Sequence, residues 1–223
     1  MGRGLVIFDC DGVLIDSEII SAQMLVRALA DLGVSIDLTY VARHFLGRSY
    51  PVVMQQIRRE FGLDLPASFE DDYRDRLLEG FRQELRIMPH VVDVIDAMAV
   101  PYCVATSSSP RRVEMSLRLV GLWDRLSDRV FTASQVQNGK PAPDLFLFAA
   151  ASMGKTPRDC LVIEDSLTGI AAARAANMEV WRFTGGSHMA GLDLTPPNLS
   201  PADLDFASFQ EFGQMAPELM RTP

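Results

Sequence analysis

The sequence predicts an α/β protein, a doubly wound parallel sheet with a block of helices inserted after its first strand. Three observations predict it. Leu5-Val6-Ile7-Phe8 is a continuous apolar run with β-branched residues, as a strand buried on both faces requires. From Asp16 to Arg82 no strand alternation appears, and helical patterns follow one another. Beyond His90 strand-like and helix-like segments alternate, which is the pattern of βαβ units.

Taken in order, the first strand ends at Asp9-Cys10-Asp11-Gly12, so an acidic pair sits at its C-terminal end, where open parallel sheets bind ligands. Asp16 or Ser17 is placed to cap a helix running to Gly33, with Ile20, Met24, Ala28 and Leu32 on one face. Further helices are expected over Tyr50–Phe61 and Phe69–Phe81. Pro101–Thr106 reads as a strand, followed by a helix from Pro110 to Val120. A short strand at Arg129–Phe131, a helix over Asp144–Met153, a strand at Cys160–Ile163, a helix at Leu167–Ala176 and a strand at Met178–Trp181 follow. Pro196-Pro197 marks a loop, and the tail after Ala202 has room for one more strand and helix.

The chain has 223 residues, 48% hydrophobic and 22% charged, with a formal charge of -8. That balance is ordinary for a globular protein and argues against nucleic acid or an anionic membrane surface as the main partner. Cys10, Cys103 and Cys160 are odd in number and widely spaced, so neither a disulfide framework nor a zinc site is expected. With no signal-like or membrane-length apolar run, the expected location is the cytoplasm.

Polar residues recur where strands end. Asp9 and Asp11 repel each other unless a cation or proton lies between them, and a hard cation such as Mg²⁺ prefers such carboxylates together with water and phosphate. The pair reads equally as a turn. Glu164-Asp165 adds two acids after another apolar strand, though Asp165 alone would pass for a helix cap. Thr106-Ser107-Ser108-Ser109 offers hydroxyls and turn amides to a phosphate oxygen, or simply an N-cap. Lys140 is one of only two lysines and is flanked by Gly139 and Pro141. It is either a solvated charge or a fixed cation beside the acids.

Together these sites resemble the haloacid dehalogenase-like hydrolase superfamily over nearly the full chain. The resemblance is carried by Asp9-Cys10-Asp11-Gly12-Val13, Val104-Ala105-Thr106, Lys140-Pro141 with Pro143-Asp144, and Glu164-Asp165-Ser166 with Gly169, in that order and spacing. It implies a Rossmann-like core, residues 1–15 and 86–223, and a small all-α four-helix cap, residues 16–85. It implies Asp9 as nucleophile, Asp11 as general acid/base, Thr106 as phosphoryl ligand and Lys140 as the group steadying nucleophile and phosphate. It implies Mg²⁺ held by Asp9, the Asp11 backbone carbonyl and Asp165, with Glu164 nearby. Ser107 and Ser108 are candidate phosphate contacts. Gly47 and Arg48, in the loop Arg43–Ser49, are candidate contacts to the leaving group, although Arg43 and Arg48 also read as ordinary surface charges.

Within the superfamily, Asp11 argues against dehalogenation, and the absence of any lysine before Lys140 argues against Schiff-base phosphonate cleavage. The β-phosphoglucomutase-like branch shares this cap but carries a histidine near Ser21, absent here. The expected activity is therefore a phosphatase acting on a small phosphate ester, a sugar or sugar-acid phosphate such as 6-phosphogluconate, since Phe8-Asp9-Cys10-Asp11-Gly12 with Asp16-Ser17-Glu18, and Pro101-Tyr102-Cys103-Val104, resemble bacterial 6-phosphogluconate phosphatases. A phosphosugar mutase and an inactive binding protein are the alternatives. A monomer or dimer is expected.

Overall fold

A computed structural model describes residues 3–65, 68–190 and 202–221. The loop expected at Pro196-Pro197 lies outside them. Six parallel strands form one sheet in the order β3-β2-β1-β4-β5-β6. They are β1 (Leu5–Phe8), β2 (Tyr102–Thr106), β3 (Val130–Thr132), β4 (Cys160–Glu164), β5 (Glu179–Phe183) and β6 (Leu204–Phe206). Central β1 pairs Phe8 with Val104 on one side and with Ile163 on the other. Its residues alternate between two cores: Val6 and Phe8 pack on one face, Leu5 and Ile7 on the opposite face. All four are buried, which accounts for a run with no polar position.

Between β1 and β2 lie α1 (Glu18–Ala30), α2 (Leu38–His44), α3 (Tyr50–Phe61) and α4 (Phe69–Glu84). In α4 the first turn carries Glu70, Asp71 and Asp72, which suit the positive end of the helix dipole, and Tyr73, Leu77, Leu78 and Phe81 form its buried stripe. The chain enters and leaves this insert side by side: Asp16 N donates to Arg86 O at 2.9 Å and Met88 N to Leu14 O at 2.9 Å. The remaining helices are α5 (Val91–Ala97), α6 (Pro110–Leu119), α7 (Trp123–Leu126), α8 (Asp144–Ser152), α9 (Leu167–Ala175) and α10 (Phe212–Met215). No helix among the described residues is long and apolar enough to cross a membrane.

Several expectations need correction. Neither Asp16 nor Ser17 caps α1 through its side chain. The Ser17 hydroxyl goes to Asp11, and Asp16 accepts from the Ser187 amide at 3.1 Å. The helix stops at Ala30, before Gly33. Ser166, rather than Asp165, caps α9, accepting from Gly169 N at 3.1 Å. Helices α2 and α5, of seven residues each, were not among the expected elements.

Candidate active site

The strand order reverses between β1 and β4, and a parallel sheet opens a crevice at such a point beyond the strands' C-terminal ends. Asp9 follows β1 and donates its amide to Ile163 O at 2.9 Å, so the ladder with β4 holds it in place. Glu164 is the last residue of β4 itself, with Asp165 immediately after. Thr106 ends β2. Lys140 arrives on the loop before α8, its side chain 1% exposed.

Lys140 Nζ donates to Asp9 Oδ1 at 2.6 Å and to Glu164 Oε1 at 2.7 Å. Burial disfavours its charge, but Asp9 and Glu164 outweigh that and raise its pKa. The other oxygen of Glu164 accepts from the Ser166 amide at 2.7 Å and the Ser166 hydroxyl at 2.9 Å. Glu164 thus clamps the lysine that faces Asp9. Burial pushes the Asp9 carboxyl well above the usual carboxylate range; Lys140 pulls it down, and Glu164, Asp165 and Asp11 push it back up. Asp165 is raised likewise, by burial first and then by Glu164.

Asp165 Oδ2 is buried without a hydrogen bond, an expensive state for a carboxylate oxygen. His188 Nε2 lies 2.9 Å away but is not aligned to donate, and burial lowers the His188 pKa, which favours a neutral ring. Oxygens of Asp9, Glu164 and Asp165 come within 4.8 Å of one another. Three buried carboxylates with one ammonium leave an excess of negative charge. An all-oxygen donor set of that charge, with one orphaned oxygen, fits a hard divalent cation.

Asp11 faces another way. Its carboxylate accepts from Ser17 Oγ at 2.6 Å, Ser108 Oγ at 2.5 Å and Arg112 Nη2 at 2.8 Å, with Thr106 Oγ1 at 3.5 Å. Burial works against its ionisation, but Arg112 and the two serines prevail and lower its pKa. Ser108 N donates to Thr106 Oγ1 at 3.0 Å, closing the turn above β2.

Above this floor lies a cavity of about 310 Å³ between the sheet edge and the helical insert. Asp9, Asp11, Thr106, Ser107 and Ser108 line it from the core, and Gly47 and Arg48 from the insert. The loop after α2 touches the core directly: Ser107 Oγ donates to Gly47 O at 3.1 Å and Thr168 Oγ1 to Leu46 O at 3.4 Å. The structure therefore brings Asp9, Lys140, Glu164 and Asp165 into one cluster, with Asp11, Thr106 and Ser108 in a network beside it. Gly47, Arg48 and Ser107 stand at the cavity wall; the Arg48 side chain is exposed and forms no hydrogen bond among the described residues.

The sequence reading gave no site role to Glu18, Arg112, Thr168 and His188, and named Ser17 only as a helix cap or within a motif and Ser166 only within a motif. Arg112 left one usable signal: two consecutive arginines in the first turn of α6 oppose the helix dipole, a local cost that needs a compensating role. His188 left only its isolation in the run Gly185-Gly186-Ser187-His188.

A family model for haloacid dehalogenase-like hydrolases matches residues 4–177. The chain is 28% identical over 184 residues to the 6-phosphogluconate phosphatase of Escherichia coli K12, covering 82% of this chain and 83% of that protein. It superposes with a TM-score of 0.78 on a conserved haloacid dehalogenase-like protein of unknown function from Agrobacterium tumefaciens, at 33% identity, covering 97% and 99% of the two chains. A hydrolase of this family from Deinococcus radiodurans, crystallised with bound phosphate and sodium, is similar with a TM-score of 0.74 at 29% identity over 99% and 98% of the chains.

Proposed function

The chain belongs to the haloacid dehalogenase-like hydrolase family and is a phosphatase of that family, and from that premise we propose that it hydrolyses a small phosphorylated metabolite with Mg²⁺, through a phospho-aspartate on Asp9. The substrate class is a sugar or sugar-acid phosphate, with 6-phosphogluconate as the first candidate, since the E. coli relative carries that name. The observation that carries the reading is Lys140 Nζ held between Asp9 Oδ1 and Glu164 Oε1 at 2.6 and 2.7 Å, beside the unpaired Asp165 oxygen.

In the first step an Asp9 oxygen attacks phosphorus, the ester P–O bond breaks, and the departing oxygen takes a proton from Asp11, which must first turn from Arg112 and the serines that keep it ionised here and be protonated. In the second, Asp11 takes a proton from water, the water oxygen attacks phosphorus, and phosphate leaves with the Asp9 carboxylate restored. The covalent intermediate replaces one difficult displacement by two easier ones. Lys140 keeps the Asp9 oxygen oriented, and Thr106 and the turn amides bind the phosphoryl oxygens. Asp9, Asp165 and the Asp11 carbonyl would hold Mg²⁺, which when bound neutralises charge on the carboxylates and the phosphoryl group; Glu164 stands beside them, its oxygens taken by Lys140 and Ser166. Residues 16–85 act as a cap over a core of residues 1–15 and 86–223, excluding bulk water and reading the leaving group through the loop containing Gly47 and Arg48.

Against the mutase reading stands Ser21, whose hydroxyl accepts from Arg112 at 3.1 Å and donates to Ser17 O at 2.9 Å. It has no capacity as a general base. The deciding experiment is phosphate release from a panel of phosphorylated sugars, sugar acids and polyols with Mg²⁺. Release from none of them would sink the proposal, and isomerised product without free phosphate would transfer it to the mutases.

A further inference from the structure

The cavity contains a second concentration of charge, opposite in sign to the buried acids. Arg48, Arg74, Arg111 and Arg112 all line it, in a chain whose formal charge is -8. Arg48, Arg74 and Arg111 make no side-chain hydrogen bond among the described residues. The ion pairs of Arg74 with Glu70 and Asp71 are long, at 3.8 and 3.6 Å, as is that of Arg111 with Asp75 at 3.9 Å. Such loose surface pairs are worth little and release their cations readily.

Arg112 is different. Its side chain is 24% exposed and it sits at the seam of insert and core. One nitrogen, Nη2, does all its bonding, to Asp11 Oδ1 at 2.8 Å and Ser21 Oγ at 3.1 Å. Its guanidinium carbon lies 5.2 Å from the centre of the Phe81 ring, which fixes the plane of the fork. Nε is buried with no hydrogen-bond partner, and Nη1 bonds to nothing among the described residues. A guanidinium presents five donors suited to bidentate anions, and leaving most of them unused in a partly desolvated place is costly. The surroundings hold Arg112 in position without satisfying it.

We propose that Arg112 is an anion-binding specificity residue: it takes a carboxylate or second phosphate on the leaving group, so the substrate is a phosphate ester that carries another acidic group. This rests on the phosphatase reading of the site and narrows it. The reacting phosphoryl group is held at the Asp9 end. The far acidic group meets Arg112 where cap and core join, with the other three arginines adding positive potential along the wall. Neutral sugar and polyol phosphates offer the free donors of Arg112 only uncharged hydroxyl oxygens, weaker partners than an anion.

The test compares a six-carbon sugar-acid phosphate with the polyol phosphate of equal length, on wild type and on Arg112→Gln and Arg112→Lys. Wild type is expected to favour the acid. Arg112→Gln is expected to lower kcat/KM for the acid by about ten- to a hundredfold more than for the polyol, with Arg112→Lys between the two. Disturbance of Asp11, which Arg112 touches, falls on both substrates and cancels in the ratio. The unphosphorylated acid, used as a competitive inhibitor, should lose affinity for Arg112→Gln by a similar factor, while inorganic phosphate should not discriminate. Equal use of acid and polyol by wild type, or an acid-to-polyol ratio unchanged by the substitution, overturns the proposal. A wild type that releases phosphate from no ester overturns instead the phosphatase reading beneath it, and this proposal with it.

Discussion

Replacing Gly47 by alanine should separate docking of the cap loop from stability of the fold. Gly47 has φ +73, and a Cβ there would lie 2.2 Å from Ser166 Oγ and 2.4 Å from Thr168 Oγ1. Both hydroxyls belong to the core, so the clash exists only while the loop is docked. Ordinary contact requires the loop to withdraw by roughly 1 Å. That breaks the bonds from Ser107 Oγ to Gly47 O and from Thr168 Oγ1 to Leu46 O, now 3.1 and 3.4 Å long. At about 0.5–1.5 kcal/mol each, docking weakens by about 1–3 kcal/mol, and kcat/KM for the preferred sugar phosphate falls by about five- to 150-fold. The left-handed backbone adds strain of about 1–2 kcal/mol whether or not the loop is docked. Gly62 supplies the control, since its φ is +63 and a Cβ there meets nothing within 4 Å. Gly62→Ala should lower Tm by a similar few degrees and leave kcat/KM unchanged. Steady-state kinetics and thermal melts of the two variants decide the matter. If Gly47→Ala matches Gly62→Ala in both, the docked loop has no part in turnover.

Three further outcomes are expected. Asp9→Asn should abolish phosphate release with Tm near that of wild type, because the amide fits the same space at the end of β1 but is no nucleophile; substantial residual Mg²⁺-dependent turnover would refute the assignment. Removal of divalent metal with EDTA should stop turnover and Mg²⁺ should restore it, since one lysine cannot balance Asp9, Glu164 and Asp165; full activity in chelator would count against the metal site. Glu18 is pushed from 4.5 to about 8, chiefly by burial and then by Asp11 and Asp165. Between those values the metal-free native state binds a proton that the unfolded chain releases, so stability falls as pH rises through that window. Glu18→Gln should therefore raise the Tm of the metal-free protein more at pH 8 than at pH 5, and a pH-independent difference would refute the shift.

The sheet and its acids were legible because a buried parallel strand allows no polar residue until it ends. In β1 and β4 the apolar run stops at Asp9 and at Glu164, and those stops are the site. What joins them was not legible. Pairing of β1 with β4 rather than β3 brings together residues over 150 positions apart, and local pattern has no access to that choice. Helix α2 escaped because only Val41 among its residues is buried, leaving no periodic face. In α5 the run Val91-Val92-Asp93-Val94-Ile95 is too short to distinguish helical from strand period, and His90 at φ 64 gives no sequence signal for the turn that starts it. Within the site, the sequence placed Glu164 only near the metal, whereas its oxygens are committed to Lys140 and Ser166. A pair of adjacent acids cannot announce which of them will be turned toward a lysine 24 positions away.

The two charge clusters also explain how an acidic chain handles an anionic substrate. A phosphate ester approaching the Asp9 end meets three buried carboxylates, and Lys140 is already shared between two of them. Without further positive charge that end repels the substrate at the distances where bonds must form. A divalent cation reverses the sign there, and the reversal is confined to the atoms where phosphorus changes partners. The arginines lie on the other side, around Asp11 and along the cap. Fixed by the fold and independent of metal, they act on whatever the phosphoryl group is attached to. Choice of substrate thus rests on charges other than those that hold the metal, and Arg112→Gln, although it also disturbs Asp11, slows every ester alike through that contact and separates the acidic from the neutral ones through the lost anion contact.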